Sequence, residues 1–456
     1  MRKLFLFFYS IFSIILSAQD GSVDLSFNTG SGPNGSEIVA MALQSNGKII
    51  VAGDFTSYDG IARKGIARLN SDGSVDQTFN PGSGVVGNVY NIMIQQDGKI
   101  MITGDFTQYN NIQKKYITRL NSDGSLDTSF NIAGSGPSQG VFSITQQNDG
   151  KILIAGGFTS YNGTSRGRIA RLNNNGTLDQ TFDSSIGSDH ILGSVILQSD
   201  GKVLIGGFTS FTYDNISRNS IARLNSDGSL DTSFNQFGIG GNLPMSSMTM
   251  QSNGKIIISG SFTSYNNVQT GGIIRLNTDG SLDSTFTKNS SATAYSAIVL
   301  PNGKILVGGG MYSSRLFRLN ADATVDKLFN TEWGVNNIQR VILQPDGKIL
   351  ACGNFNSFIG TNKKQIVRIS GEDILSVSEN ENENIKIYPN PVKDFLNIKS
   401  DELISGYEIY SLDGRKLMEE NKLNNSKIDV SNLTKGNYLI KFQTKGKEQT
   451  TKFIKE

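Results

Sequence analysis

One pattern is written seven times along this chain, and it restricts the fold more than any other feature. Its plainest copy runs Asp123-Gly-Ser-Leu-Asp127-x-x-Phe130, then Gly150-Lys151 opening an apolar run, then Gly157-Phe158-Thr159-Ser160-Tyr161, then Ile169-Ala170-Arg171-Leu172-Asn173. The Gly-Lys step returns at Lys48, Lys99, Lys151, Lys202, Lys255, Lys304 and Lys348, at intervals of 51, 52, 51, 53, 49 and 44 residues. A period near 50 built from short strands and glycine turns predicts an all-β array, a seven-bladed β-propeller.

Each copy holds four apolar or alternating runs, a to d; in the second they are Val89–Ile94, Lys99–Thr103, Tyr116–Leu120 and Ser125–Phe130. The a–b turn Gln95-Gln96-Asp97-Gly98 and the c–d turn Asn70-Ser71-Asp72-Gly73 are tight-hairpin sequences, so a to d form an antiparallel meander. Both hairpins then lie on one face. The longer, more variable b–c and d–a connections lie on the other, which is the expected working face. The chain opens with a spare d run, Ser22–Phe27, and the seventh copy stops after its c run, Ile366–Ser370. Pairing the two closes the ring and covers a strand edge.

Arginine occupies every c run: Arg68, Arg119, Arg171, Arg223, Arg275, Arg318 and Arg368. Eight residues later stand Asp76, Asp127, Asp179, Asp231, Asp283 and Asp326. The seventh copy has Ser376 there, and the spare aspartate is Asp24. These read as structural cross-strand pairs rather than a ring of ligand-binding arginines, each worth about 0.2–1 kcal/mol if exposed. Tyr58, Tyr109, Tyr161, Tyr213, Tyr265 and Phe358 open the b–c loops and are the candidate ligand-binding residues, able to stack on sugars or clasp a peptide; capping of the blades is the plainer alternative. The phenylalanines before them, Phe208 of the fourth copy included, are expected to pack between blades. The sixth copy departs from the pattern at Gly310–Ser314.

Net charge is +2 over 456 residues, which gives no reason to expect nucleic acid as partner. The single cysteine, Cys352, excludes an internal disulfide, and the single histidine, His190, leaves little room for histidine-based catalysis or a multi-histidine zinc site. Asn121-Ser-Asp123-Gly-Ser125-Leu-Asp127 has part of a calcium-loop pattern without the distal glutamate, and turn chemistry explains it. No catalytic set, cofactor or metal is assigned. Met1-Arg2-Lys3, the apolar Leu4–Leu16 and Ser17-Ala18 read as a signal peptide over residues 1–18, with no transmembrane segment after its cleavage.

The propeller is expected over residues 19–371, a polar linker over 372–384 and a small β-sandwich over 385–456. The last segment closely resembles the type A C-terminal sorting domain of the Bacteroidetes type IX (Por) secretion system. The matching elements are Tyr388-Pro389-Asn390-Pro391, Asp413-Gly414-Arg415, Gly436-Asn437-Tyr438 and Lys452-Phe453-Ile454-Lys455. The resemblance implies recognition by an outer-membrane translocon, removal by a sortase-like peptidase, and release or attachment at the outer-membrane surface. Residues 20–370 similarly resemble the delta-60 repeat β-propellers, whose members generally lack an assigned activity. The expected function is therefore an exported binding or adhesion module for an extracellular glycan or protein. The rival is a polysaccharide-acting enzyme with Asp54 and Asp105, in Gly-Asp-Phe steps of adjacent copies, as its carboxylates.

Overall fold

The computed structural model describes residues 21–184, 186–286, 294–309, 316–329, 337–371, 385–400, 403–411, 416–420, 427–434, 436–444 and 447–456. The leader, the linker, Gly310–Ser314, Ser376 and Gly414 lie outside them.

Each copy forms a three-stranded antiparallel sheet. In the second, Val89–Ile94 pairs with Ile100–Gly104, which pairs with Ile117–Leu120. In the a–b turn Gly98 takes φ +80°, the left-handed region that favours glycine, and the Asp97 carboxylate accepts from the Lys99 N–H at 3.1 Å. The sixth copy places Ala323 at φ 74° where the other c–d turns have glycine.

The outer d run is shorter than its sequence suggests. It touches strand c through one bridge, Leu120 to Leu126, and one bond, Asp127 N–H to the Arg119 carbonyl at 2.9 Å. The chain then turns, and the Asn131 N–H donates to the Asn175 carbonyl of the next blade at 2.8 Å.

The inner strands Glu37–Leu43, Val89–Ile94, Val141–Gln146, Leu192–Leu197, Met245–Met250, Ala294–Val299 and Ile338–Leu343 touch in that order, and the last touches the first. Seven blades therefore surround a central channel. The N-terminal segment closes the seventh: Val23 bridges Ile369, and the Asp24 N–H donates to the Arg368 carbonyl at 2.9 Å. Blade faces bury apolar residues against one another. At the closing seam Phe27, Ile38, Met41 and Ile49 pack with Leu350, Cys352 and Ile366.

The repeated ions bind the blades together. Asp127 Oδ2 accepts from Arg119 Nε and from Lys99 Nζ, both at 2.7 Å, and its Oδ1 accepts from the Ser129 N–H and hydroxyl. Arg119 Nη1 reaches the Asn174 carbonyl of the next blade at 2.6 Å, and its guanidinium lies 5.0 Å from the Phe130 ring centre. The same Arg–Asp–Lys set recurs in all seven blades, with Asp24 serving Arg368 and Lys348 at 2.8 Å each. Arg368 in turn reaches the Ser71 carbonyl of blade one at 2.5 Å. The carboxylates are buried, so the surface-pair magnitude given above is too small for them.

The C-terminal segment forms a three-stranded sheet, with Phe395–Ser400 between Ile385–Tyr388 and Lys427–Asp429. A four-stranded sheet is made of Lys416–Glu420, Gly406–Ser411, Gly436–Thr444 and Lys447–Lys455. They share a core that includes Leu396, Ile409, Ile440 and Phe453. No helix among the described residues is long and apolar enough to cross a membrane.

Candidate functional site

The tyrosines expected at a ligand rim are not there. Among the described residues the b–c connections fold into two-residue-turn hairpins, such as Ser160–Tyr161 with Thr164–Ser165, where Asn162 and Gly163 take φ 49° and 78°. The tyrosine backbone bridges the neighbouring d–a connection, Pro137 to Tyr161 and Gly241 to Tyr265. The side chains of Tyr58, Tyr109, Tyr161, Tyr213, Tyr265 and Phe358 are at most 2% exposed. Tyr161, Tyr213 and Tyr265 donate to the carbonyls of Gly176, Gly228 and Gly280 at 2.7, 2.8 and 2.8 Å, and Tyr109 donates to Gly124. Burial raises these phenols well above the usual tyrosine range. They brace blades and present no ring to a ligand, which corrects their assignment as candidate binding residues.

The c-strand arginines are likewise occupied, and the lysine of the Gly-Lys step joins each pair. That lysine is the one whose Gly-Lys step marks the repeat in the sequence. Cys352 is buried and its thiol is pushed up to about 12 by burial, so it is not a nucleophile. His190 bonds the adjacent Asp189 at 2.9 Å on the surface. Among the described residues no group of three potential metal ligands occurs.

What does not repeat gathers at the channel mouth, on the face of the b–c and d–a connections. Two positions per blade meet there: the residue at the bulge near the start of the inner strand, and the residue after the glycine at which the second strand's pairing with it ends or nearly ends. The first is Val39, Tyr90, Phe142 and Gly193 in blades one to four. The second is Asp54, Asp105, Gly157 and Phe208.

Tyr90 and Phe142 have ring centres 5.6 Å apart, and Phe142 and Phe208 6.0 Å. Phe208 is 41% exposed rather than packed between blades. Blade four has a longer second strand, Val203–Tyr213, irregular between Gly206 and Ser210, and Phe211 fills the core place instead. Gly193 keeps the space open: a Cβ there would stand 2.6 Å from the Phe208 ring.

Carboxylates flank this aromatic line. Asp105 Oδ2 accepts from the Tyr90 hydroxyl at 2.6 Å and Oδ1 from the Asn88 N–H at 2.8 Å. Burial and then Asp105 push the Tyr90 phenol up to about 12, so it stays a donor. Glu37 stands opposite Asp54 across the first two strands, and burial together with the Asp54 charge raises its pKa. Asp54 Oδ2 accepts from Ser36 Oγ at 2.9 Å. Tyr90, Phe142 and Glu37 were not singled out from the sequence, and Phe208 was placed in the core.

In the C-terminal domain three of the four motif elements converge on the last strand. The Asn390 side chain accepts from the Ile454 N–H at 2.8 Å, and the Glu456 N–H donates to the Val392 carbonyl at 2.9 Å. Tyr438 stacks on Phe453 at 5.5 Å, and Lys452 pairs with Leu439. The peptide bonds before Pro389 and Pro391 are cis, Tyr388 is exposed, and Gly436 starts the strand that pairs with the terminal one.

Fold and motifs together define an exported β-propeller fused to a secretion sorting domain. A model described as a secretion system C-terminal sorting domain matches residues 386–456. A second, described as a domain of unknown function (DUF5122) beta-propeller, matches 44–79, 95–130, 147–182, 198–234, 251–286, 300–329 and 344–370. The chain belongs to this beta-propeller family. Its C-terminal domain is a secretion sorting domain, and the protein is secreted or held at the outer-membrane surface.

No curated protein matches the chain. Among solved structures, the extracellular domain of the hybrid two component system BT4673 from B. thetaiotaomicron is similar at 13% identity and TM-score 0.51, covering 96% of this chain and 59% of that one. PorZ, a surface component of the type-IX secretion system of Porphyromonas gingivalis, is similar at 16% identity and TM-score 0.43, covering 93% of this chain and 60% of that one. The chain thus spans about three fifths of their length.

Proposed function

We propose that the propeller is a carbohydrate-binding module whose site is the channel mouth. The observation that carries this is the line of partly exposed rings Tyr90, Phe142 and Phe208 beside oriented carboxylates. Aromatic faces stack on the C–H faces of sugar rings, while Glu37 accepts from hydroxyl groups. The Arg–Asp–Lys set recurs unchanged from blade to blade, whereas the mouth of blades one to four is polarised into an aromatic arc and an acidic arc. One asymmetric ligand needs such a break in symmetry. Hydrolysis by Asp54 and Asp105 draws less support, because both Asp105 oxygens already accept bonds from Tyr90 and Asn88.

On a glycan array followed by calorimetry, Tyr90→Ala, Phe142→Ala and Phe208→Ala should each weaken saccharide binding by about 1 kcal/mol or more, roughly fivefold. Their melting temperatures should move little. Unchanged affinity in all three variants would overturn the assignment of the site.

We further propose that a sortase-like peptidase removes the sorting domain after export. Mass spectrometry of protein recovered from the medium or cell surface should then find a product ending before Ile385. A surface product that retains Glu456 would contradict this.

A further inference from the structure

Arg340 breaks the pattern of the inner ring. It lies on the inner strand of blade seven, opposite Cys352, just past the strand's bulge. The same place holds Ala40, Asn91, Ser143, Ser194, Ser247 and Ser296 in the other blades, each set by the same register shift. Side chains here face the seam between adjacent inner strands: Ser143 Oγ accepts from the Val195 N–H of the next blade at 3.0 Å. Arg340 therefore sits where blades seven and one meet at the channel.

The c-strand arginines each hold an aspartate. The Arg340 side chain makes one hydrogen bond, from Nη1 to the Gln339 carbonyl at 3.2 Å, and no ion pair among the described residues. It is partly accessible, and burial pulls the guanidinium below its ordinary pKa. Its titratable neighbour, Cys352, is a neutral thiol and supplies no counter-charge. A desolvated cation without a partner is costly, and a planar guanidinium with free N–H groups is suited to bidentate oxyanions.

We propose that Arg340 receives an anionic group of the bound saccharide, a carboxylate or a sulfate, so that the ligand is an acidic glycan. This rests on the glycan reading of the mouth. The aromatic arc grips sugar rings on one side of the channel, and the cation on blade seven reads the charge from the other.

The test compares the native full chain with Arg340→Ser, which installs the residue that four other blades carry there, and with Arg340→Lys. Retained melting temperatures confirm that the fold is intact. Inorganic sulfate is titrated at constant ionic strength, followed by a trigalacturonate, a sulfated trisaccharide and a neutral trisaccharide. Sulfate should bind the native chain and lose at least about tenfold in affinity in Arg340→Ser, with Arg340→Lys between the two. One acidic trisaccharide should bind the native chain roughly tenfold tighter than the neutral one, and this preference should vanish in Arg340→Ser; which one it is identifies the source of the anion.

Sulfate binding that depends on Arg340, with no saccharide bound, would overturn the glycan reading and leave the anion site standing. Saccharide binding that needs Tyr90 but ignores both ligand charge and Arg340→Ser would overturn the anion site alone.

Discussion

A chain lacking residues 21–28 is expected to be recovered as aggregate, or as an unfolded monomer of much lower melting temperature. The deletion removes the bridge from Val23 to Ile369 and opens the edge of Ile366–Ile369. It takes away Phe27, fully buried and 4.8 Å from the Arg368 guanidinium, a loss of about 3–5 kcal/mol by analogy with large-to-small core changes. It also strands Arg368 and Lys348 without Asp24, and breaking one side of a buried ion pair costs about 3–5 kcal/mol more. Together these approach the whole stability of an ordinary domain. Asp24→Ala alone should cost about 3 kcal/mol, more than the exposed pair suggested by the sequence, because its side chain is only 12% exposed. Light scattering and thermal melts check both variants. A synthetic peptide spanning residues 20–28 should restore the truncated chain to a monomer. A truncated chain that melts like the native one would refute closure by this segment.

Acid should unfold the ring cooperatively. Burial alone would raise the pKa of Asp127, but bonds from Lys99, Ser129 and Arg119 more than offset it and hold the carboxyl well below the usual range. Asp24, Asp76, Asp179, Asp231 and Asp283 are depressed by the equivalent groups, and Asp326 by Arg318, Lys304 and the Leu328 N–H. A group whose pKa is lower when folded contributes stability above its unfolded pKa, near 4, and loses it as pH falls toward the folded value. The seven contributions vanish over the same interval. The melting temperature should hold from pH 7 to about 5 and fall steeply below about 4. Asp127→Asn should destabilise by about 3 kcal/mol at pH 7 and reduce the number of protons taken up on unfolding by up to one. A melting temperature flat down to pH 3 would show that the carboxylates do not hold the blades.

The repeat made the ring, its phase and the Arg–Asp partners readable, because periodicity exposes whatever is needed seven times. It concealed the site for the same reason. Tyr90, Phe142 and Phe208 recur in no other blade as a set, and Phe208 passed for a core residue until the longer blade-four strand put Phe211 in its place. The b–c tyrosines mislead for a different reason. Tyr161-Asn162-Gly163 carries the Asn-Gly signal of a two-residue hairpin, which folds the tyrosine inward; taken as the start of an open loop, it pointed outward. The d runs were overestimated because the Asp-Gly-Ser-x-Asp alternation looks like a strand, whereas Asp127 spends its carboxylate turning the chain toward the next blade.

The Gly21 N–H donates to the Ser370 carbonyl at 2.8 Å, so the two ends of a 350-residue ring lie side by side. During synthesis the first of these residues emerges long before its partner. Blades one to six can each complete themselves from their own sequence, but the seventh waits for a segment made at the outset and held in reserve. The ring can therefore seal only after its final strand has left the ribosome, which makes closure a completeness check on the chain. It also means that where this polypeptide is cut is a matter of topology rather than necessity. Joining residues 371 and 21 by a short linker and opening the d–a connection of another blade should yield the same ring with its ends relocated.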